Sequence, residues 1–111
     1  MIKVKKITPV IGAVIKGINF SKPVDQKIFD QIYDILVENL VIFFRNTNIS
    51  PNAHLEFSEN FGELDDPHPV YPNVEGFSRI VKLENDKYSP PDTDAWHTDL
   101  TFKQEQPFAS V

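Results

Sequence analysis

Trp96-His97-Thr98-Asp99-Leu100-Thr101-Phe102 has the side-chain alternation of a half-buried strand. In an extended backbone successive side chains point to opposite faces. Trp96, Thr98, Leu100 and Phe102 therefore share one face, and His97, Asp99 and Thr101 share the other. The stretch predicts a strand over residues 96–102 with Trp96 turned toward the core. It also aims an imidazole and a carboxylate at one point in space. Those two groups are two thirds of the facial set that holds non-haem Fe(II) and leaves positions open. Three histidines and nine aspartates in 111 residues give such a pair by chance in about one chain in four. On spacing alone a solvated strand face is the better account, because no third ligand stands at a fixed spacing.

Upstream lies a polar loop over residues 85–95 with Pro90 and Pro91, preceded by a predicted strand over 79–84. Residues 62–78 carry no periodicity, and Pro67, Pro69 and Pro72 hold their backbone extended. A loop of that length in a compact domain is usually functional or disordered. Within it, Pro67-His68-Pro69-Val70-Tyr71-Pro72 presents an imidazole and a phenol from a restricted backbone. A protonated His68 and the Tyr71 hydroxyl suit an anionic group. An exposed loop histidine is the plainer reading of His68. The acidic pairs Asp65–Asp66 and Asp92/Asp94 read as turn formers.

Further toward the N-terminus, Ser50-Pro51 is an N-cap followed by an N1 proline, and Gly62 marks the stop. Ala53, Phe57 and Phe61 line one face of this helix, with His54 on its surface. A longer helix runs from a cap at Asp25 to about Leu40, with Ile28, Phe29, Ile32, Ile35, Leu36 and Leu40 at three- and four-residue spacings. The apolar run over 40–44 predicts a strand buried on both faces. Segments 2–8 and 13–19 predict two more strands. Helices followed by strands make the chain α+β or a helix-decorated β fold.

Composition narrows the functions. Eleven basic against sixteen acidic residues, a net charge of −5, argue against nucleic acid as a partner. The absence of cysteine excludes disulfides, thiolate metal sites and a cysteine nucleophile. The scattered glycines form no phosphate-cradling loop, and no nucleophile-elbow sequence supports a hydrolase. No apolar run is long enough to span a membrane. The lysine-rich start lacks the cleavage pattern of a secretory leader, so the expected compartment is the cytoplasm.

Two blocks, His68-Pro69-Val70-Tyr71-Pro72 and Pro90-Pro91-Asp92-Thr93-Asp94-Ala95-Trp96-His97-Thr98-Asp99, together with Phe61-Gly62-Glu63-Leu64, resemble the Fe(II)/2-oxoglutarate-dependent taurine dioxygenases. The resemblance implies an α+β, mainly β fold. This would be an incomplete double-stranded β-helix, or jelly roll, with two flanking helices. It implies Fe(II) as cofactor with His97 and Asp99 as its ligands, 2-oxoglutarate as cosubstrate and O2 as oxidant. It implies His68, Tyr71 and Thr93 as contacts to a small anionic substrate. No catalytic residue beyond the metal ligands is implied. Thr93 stands where members acting on taurine carry asparagine, which leaves a sulfate ester or an aryloxy acid open beside taurine.

The chain ends twelve residues after Asp99. The family's distal histidine and the arginines for 2-oxoglutarate and sulfonate have no counterpart in it. The expectation is a single N-terminal fragment of a dioxygenase domain over residues 1–111, inactive by itself. A non-catalytic remnant or a small interaction module is the rival, and a homo-oligomer is open for the intact enzyme.

Overall fold

The computed structural model describes residues 1–91 and 95–111. It divides into two compact units, Met1–Asn60 and Phe61–Val111.

The first unit begins with a hairpin of β1 (Lys3–Lys6) and β2 (Ala13–Lys16), antiparallel with Lys3 opposite Lys16 and Lys6 opposite Ala13. β2 stops at Lys16, short of the predicted residue 19. Gly17 follows with φ +94°, and a Cβ there would lie 2.5 Å from the Met1 carbonyl oxygen. Any larger residue at this bend would therefore force the chain start away from β2.

Helix α1 (Gln26–Asn39) forms where the spacing predicts it. The Asp25 side chain accepts a hydrogen bond from the Lys27 amide at the N-cap. Phe29 and Ile32 are buried, and Ile28, Ile35 and Leu36 are half-buried beside them. Leu40 does not enter a strand. It ends the helix in a left-handed conformation, φ 67°, with its amide donating to the Leu36 carbonyl. The buried Asn39 completes the turn: its side-chain nitrogen donates to Ile35, and its carbonyl accepts from Gly12 and Val41.

The strand expected over 40–44 is reduced to β3 (Ile42–Phe43), parallel to β2. Its Phe43 is exposed rather than buried, because β3 has only β2 as a neighbour in the sheet order β1-β2-β3. An arginine stacks there instead, the Arg45 guanidinium carbon lying 5.2 Å from the Phe43 ring centre.

Helix α2 (Pro51–Glu59) has the expected cap, the Ser50 side chain accepting from the Ala53 amide at 3.2 Å. Ser50→Ala should lower stability by about 1 kcal/mol, read as a fall in the urea unfolding midpoint. Phe57 from α2 is buried and packs edge-on against Phe20, Phe29 and Phe44, at centroid distances of 5.1, 6.2 and 5.7 Å. With Ala13, Ile15 and Ile32 this aromatic cluster forms the core.

The second unit contains a hairpin, β4 (Asn73–Val74) and β5 (Phe77–Val81), closed by Glu75 and by Gly76 at φ +79°. The prediction placed β5 later, over 79–84, and gave β4 no strand at all. Residues 96–102 form no strand either. Residues 96–98 are irregular and 99–102 form a turn, with Leu100 at φ 52° and the Lys103 amide donating to the Leu100 carbonyl. Trp96 is fully exposed, not core, and Phe102 is exposed as well. Alternation marks the faces a strand would have, but the ladder needs a partner segment, and among the described residues none pairs with this one. The architecture is thus α+β, with two helices and short strands in two small sheets.

Candidate metal and anion site

His97 and Asp99 converge without the predicted strand. The His97 Nε2 atom lies 3.3 Å from Asp99 Oδ1, and both side chains are more than half exposed. The other ring nitrogen, Nδ1, lies 2.8 Å from the Ala95 carbonyl oxygen. A carbonyl only accepts, so Nδ1 carries the hydrogen. In the neutral ring, Nε2 then turns its lone pair toward the carboxylate. Two lone pairs at that distance repel unless a proton or a metal cation sits between them.

A metal-binding imidazole characteristically donates its other N–H to a backbone carbonyl, which fixes tautomer and orientation together. The donor set therefore fits two positions of an Fe(II) site. The second Asp99 oxygen accepts from the Ser110 hydroxyl at 3.5 Å, leaving Oδ1 on the His97 side. Among the described residues no group of three metal-binding side chains comes together, so the pair has no third ligand there.

His68 and Tyr71 also come together, both half-buried, with ring centres 4.7 Å apart. The local cause is a turn closed by the histidine itself. His68 Nδ1 accepts from the backbone amides of Val70 and Tyr71, at 3.1 and 2.9 Å. With Nδ1 accepting, the donor this ring offers is Nε2–H. Pro67 and Pro72 flank the turn and Pro69 lies within it, restricting its backbone.

Thr93 lies outside the described residues. His54 is half-buried on α2 in the first unit, less exposed than expected. A cavity of about 260 Å³ in that unit, bordered by Phe20, Lys22, Phe57 and Asn60, contains none of the candidate residues.

The sequence reading missed a group of side chains around Asp65. Arg79 on β5 donates from one guanidinium nitrogen to the Leu64 and Asp65 carbonyls, at 2.7 and 2.8 Å. Lys103 donates to the Asp65 carboxylate at 2.6 Å. Asp65 does form the predicted turn, its side chain accepting from the Asp66 amide, but it also bears an ion pair. The Lys103 hydrogen bond, with the Asp66 amide, holds the Asp65 carboxyl below its usual range, and the same bond raises Lys103. The partners are 14 and 38 residues apart, so no local pattern announces them.

The candidate residues thus form two pairs, His97 with Asp99 and His68 with Tyr71, each brought together by local backbone contacts. Residues 3–111 match the sequence model of the taurine catabolism dioxygenase TauD, TfdA family, and the chain belongs to that family. Over 111 aligned residues it is 33% identical to an alkylsulfatase of Acinetobacter baylyi, covering 99% of this chain and 34% of the relative. It is also 33% identical to an alpha-ketoglutarate-dependent sulfate ester dioxygenase of Pseudomonas putida, covering 91% of this chain and 33% of that protein. Among solved structures, a taurine dioxygenase from Burkholderia xenovorans superposes with a TM-score of 0.65 at 34% identity. That match covers 69% of this chain and 28% of the other. The chain thus spans about a third of the length of the curated relatives it matches. No helix among the described residues is long and apolar enough to cross a membrane.

Proposed function

We propose that this chain is the N-terminal part of a jelly-roll dioxygenase that uses Fe(II) and 2-oxoglutarate to oxidise the carbon carrying a sulfonate or sulfate group. The observation that carries the reading is the His97–Asp99 pair, with its Nδ1–H held by Ala95, in a chain matched by the family over residues 3–111. His97 and Asp99 would hold the iron, with a third ligand supplied by the rest of the enzyme. Bound iron, with 2-oxoglutarate and O2, supplies the oxidising equivalents as the cosubstrate is converted to succinate and CO2.

The residues of this chain supply binding and orientation. His68 Nε2–H and the Tyr71 hydroxyl donate to the sulfo oxygens, with Thr93 beside them, and so set which substrate carbon faces the metal. The expected substrate is taurine, whose hydroxylated carbon loses sulfite and becomes aminoacetaldehyde. Sulfate esters are the second reading, supported by the two curated relatives and by Thr93 in place of asparagine. Hydroxylation of an ester's carbon breaks the C–O bond to give an aldehyde and sulfate. The test incubates the enzyme that carries this chain with taurine or hexyl sulfate and assays sulfite, sulfate and succinate. Sulfite from taurine supports the first reading and sulfate from hexyl sulfate the second. Succinate release that neither compound stimulates rejects both.

Loss of the His68 donor to a charged acceptor should weaken substrate binding by roughly 1.5–3 kcal/mol, about 10- to 150-fold. In paired titrations His68→Ala should therefore raise the substrate KM while the affinity for 2-oxoglutarate stays unchanged. Equal weakening of both would assign His68 to the fold instead.

A further inference from the structure

We infer that Asp65, Arg79 and Lys103 form a positioning clamp that pre-orders the His68–Tyr71 turn and ties it to the segment bearing His97 and Asp99. This deepens the proposed function, resting on its assignment of the two pairs, but the clamp itself is defined by contacts alone.

Lys103 stands four residues after Asp99, in a turn closed by its own amide on the Leu100 carbonyl. Asp65 stands three residues before His68. The 2.6 Å ion pair between them joins the anion-binding stretch to the metal-binding stretch across 38 residues of chain. Arg79 adds a second tie from β5, gripping the two carbonyls at the entrance to the turn. An arginine is suited to this, since its guanidinium presents several donors in a fixed plane.

The clamp has a reason to exist in this unit. No described residue after Phe57 is buried, so apolar packing contributes little to holding the turn. Polar ties carry that task. The groups facing the Asp65–Lys103 pair are Asp66 and Arg79. Asp65, with its carboxyl lowered, contributes above the ordinary carboxylate range and is lost as pH falls through the lowered value. Lys103, raised, contributes below the ordinary lysine range and is lost as pH rises through the raised value. The ion pair is therefore present throughout the neutral range.

The test is amide hydrogen exchange on the 111-residue chain, needing neither metal nor substrate. The reporters are the Val70 and Tyr71 amides, which donate to His68. Lys103→Met should speed their exchange about two- to fivefold, the range of an exposed ion pair, and Arg79→Met should speed it further. Lys103→Arg should keep the wild-type rate. Asp65→Asn combined with Lys103→Met should be no faster than the worse single variant, as expected of two partners in one interaction. The proposal is overturned if the single variants leave these amides unchanged. It is also overturned if their effects simply add, or if exchange rises equally at all amides of residues 61–111.

A parallel titration with hexyl sulfate, read on the His68 and Tyr71 ring resonances, keeps the two ideas separate. A wild-type chain whose rings do not respond counts against the anion role of His68, while the exchange cycle still decides the clamp. If the wild type responds, Lys103→Met should need about two- to fivefold more hexyl sulfate for the same shift.

Discussion

Phe57→Ala is expected to cost about 3–5 kcal/mol, the largest stability loss of any single substitution considered for this chain. The ring is 5% exposed and meets Phe20, Phe29 and Phe44 edge-on, so truncation removes three aromatic contacts at once. Phe57 comes from α2, Phe29 from α1 and Phe20 from the link between β2 and α1. No single neighbour can move to fill the space without leaving its own element. A typical domain has only about 5–15 kcal/mol of stability in total, so the variant should be partly unfolded at 25 °C. Urea unfolding followed by circular dichroism measures this, with Phe102→Ala as control. Phe102 is 78% exposed, and its loss should stay within about 0.5 kcal/mol. Equal shifts for the two variants would mean that the cluster is not the core.

On the proposed ligand assignment, His97→Ala and Asp99→Ala are expected to abolish tight iron binding in the full-length protein that carries this chain. Even the outer partners of metal-binding residues are worth about 10–100-fold in affinity, so loss of a direct ligand should exceed about 100-fold. Asp99→Asn is the more informative change. It keeps the shape and removes the charge, so it separates carboxylate coordination from mere space filling. His54→Ala is the control, since His54 belongs to α2 in the first unit and should leave iron binding intact. Anaerobic Fe(II) titration decides the matter, and loss of binding in His54→Ala would refute the ligand assignment.

How much of this was legible in the sequence depended on how local each signal is. α1 and α2 were readable to within a residue or two because their causes are local. Asp25 and Ser50 cap them, Pro51 starts the second, and Phe29 and Ile32 repeat at helical spacing. Residues 96–102 failed for the opposite reason. Their alternation describes one side of a ladder whose other side is a separate segment, and Leu100 takes a left-handed conformation that no alternation forecasts. β4 was overlooked because two residues leave no periodicity, although Gly76 carried a usable turn signal. The His97–Asp99 contact was legible for a different reason again. Residues two apart are close enough along the chain to meet without a sheet. His68's two backbone acceptor bonds were not legible, since they depend on how the proline-flanked turn closes.

The confinement of every buried apolar side chain among the described residues to positions 13–57 also bears on how the chain folds as it is made. Synthesis proceeds from the N-terminus at about 5–20 residues per second, and folding units close in the order in which they emerge. Once Phe57 has left the ribosome, the nascent chain already contains both partners of every core contact from Ala13 to Phe57. The β1–β2 hairpin joins neighbours in sequence, and the β2–β3 pairing spans about one helix of intervening chain. This part can close before His97 has been translated. The early core would shield its aromatic side chains from aggregation during the remaining elongation.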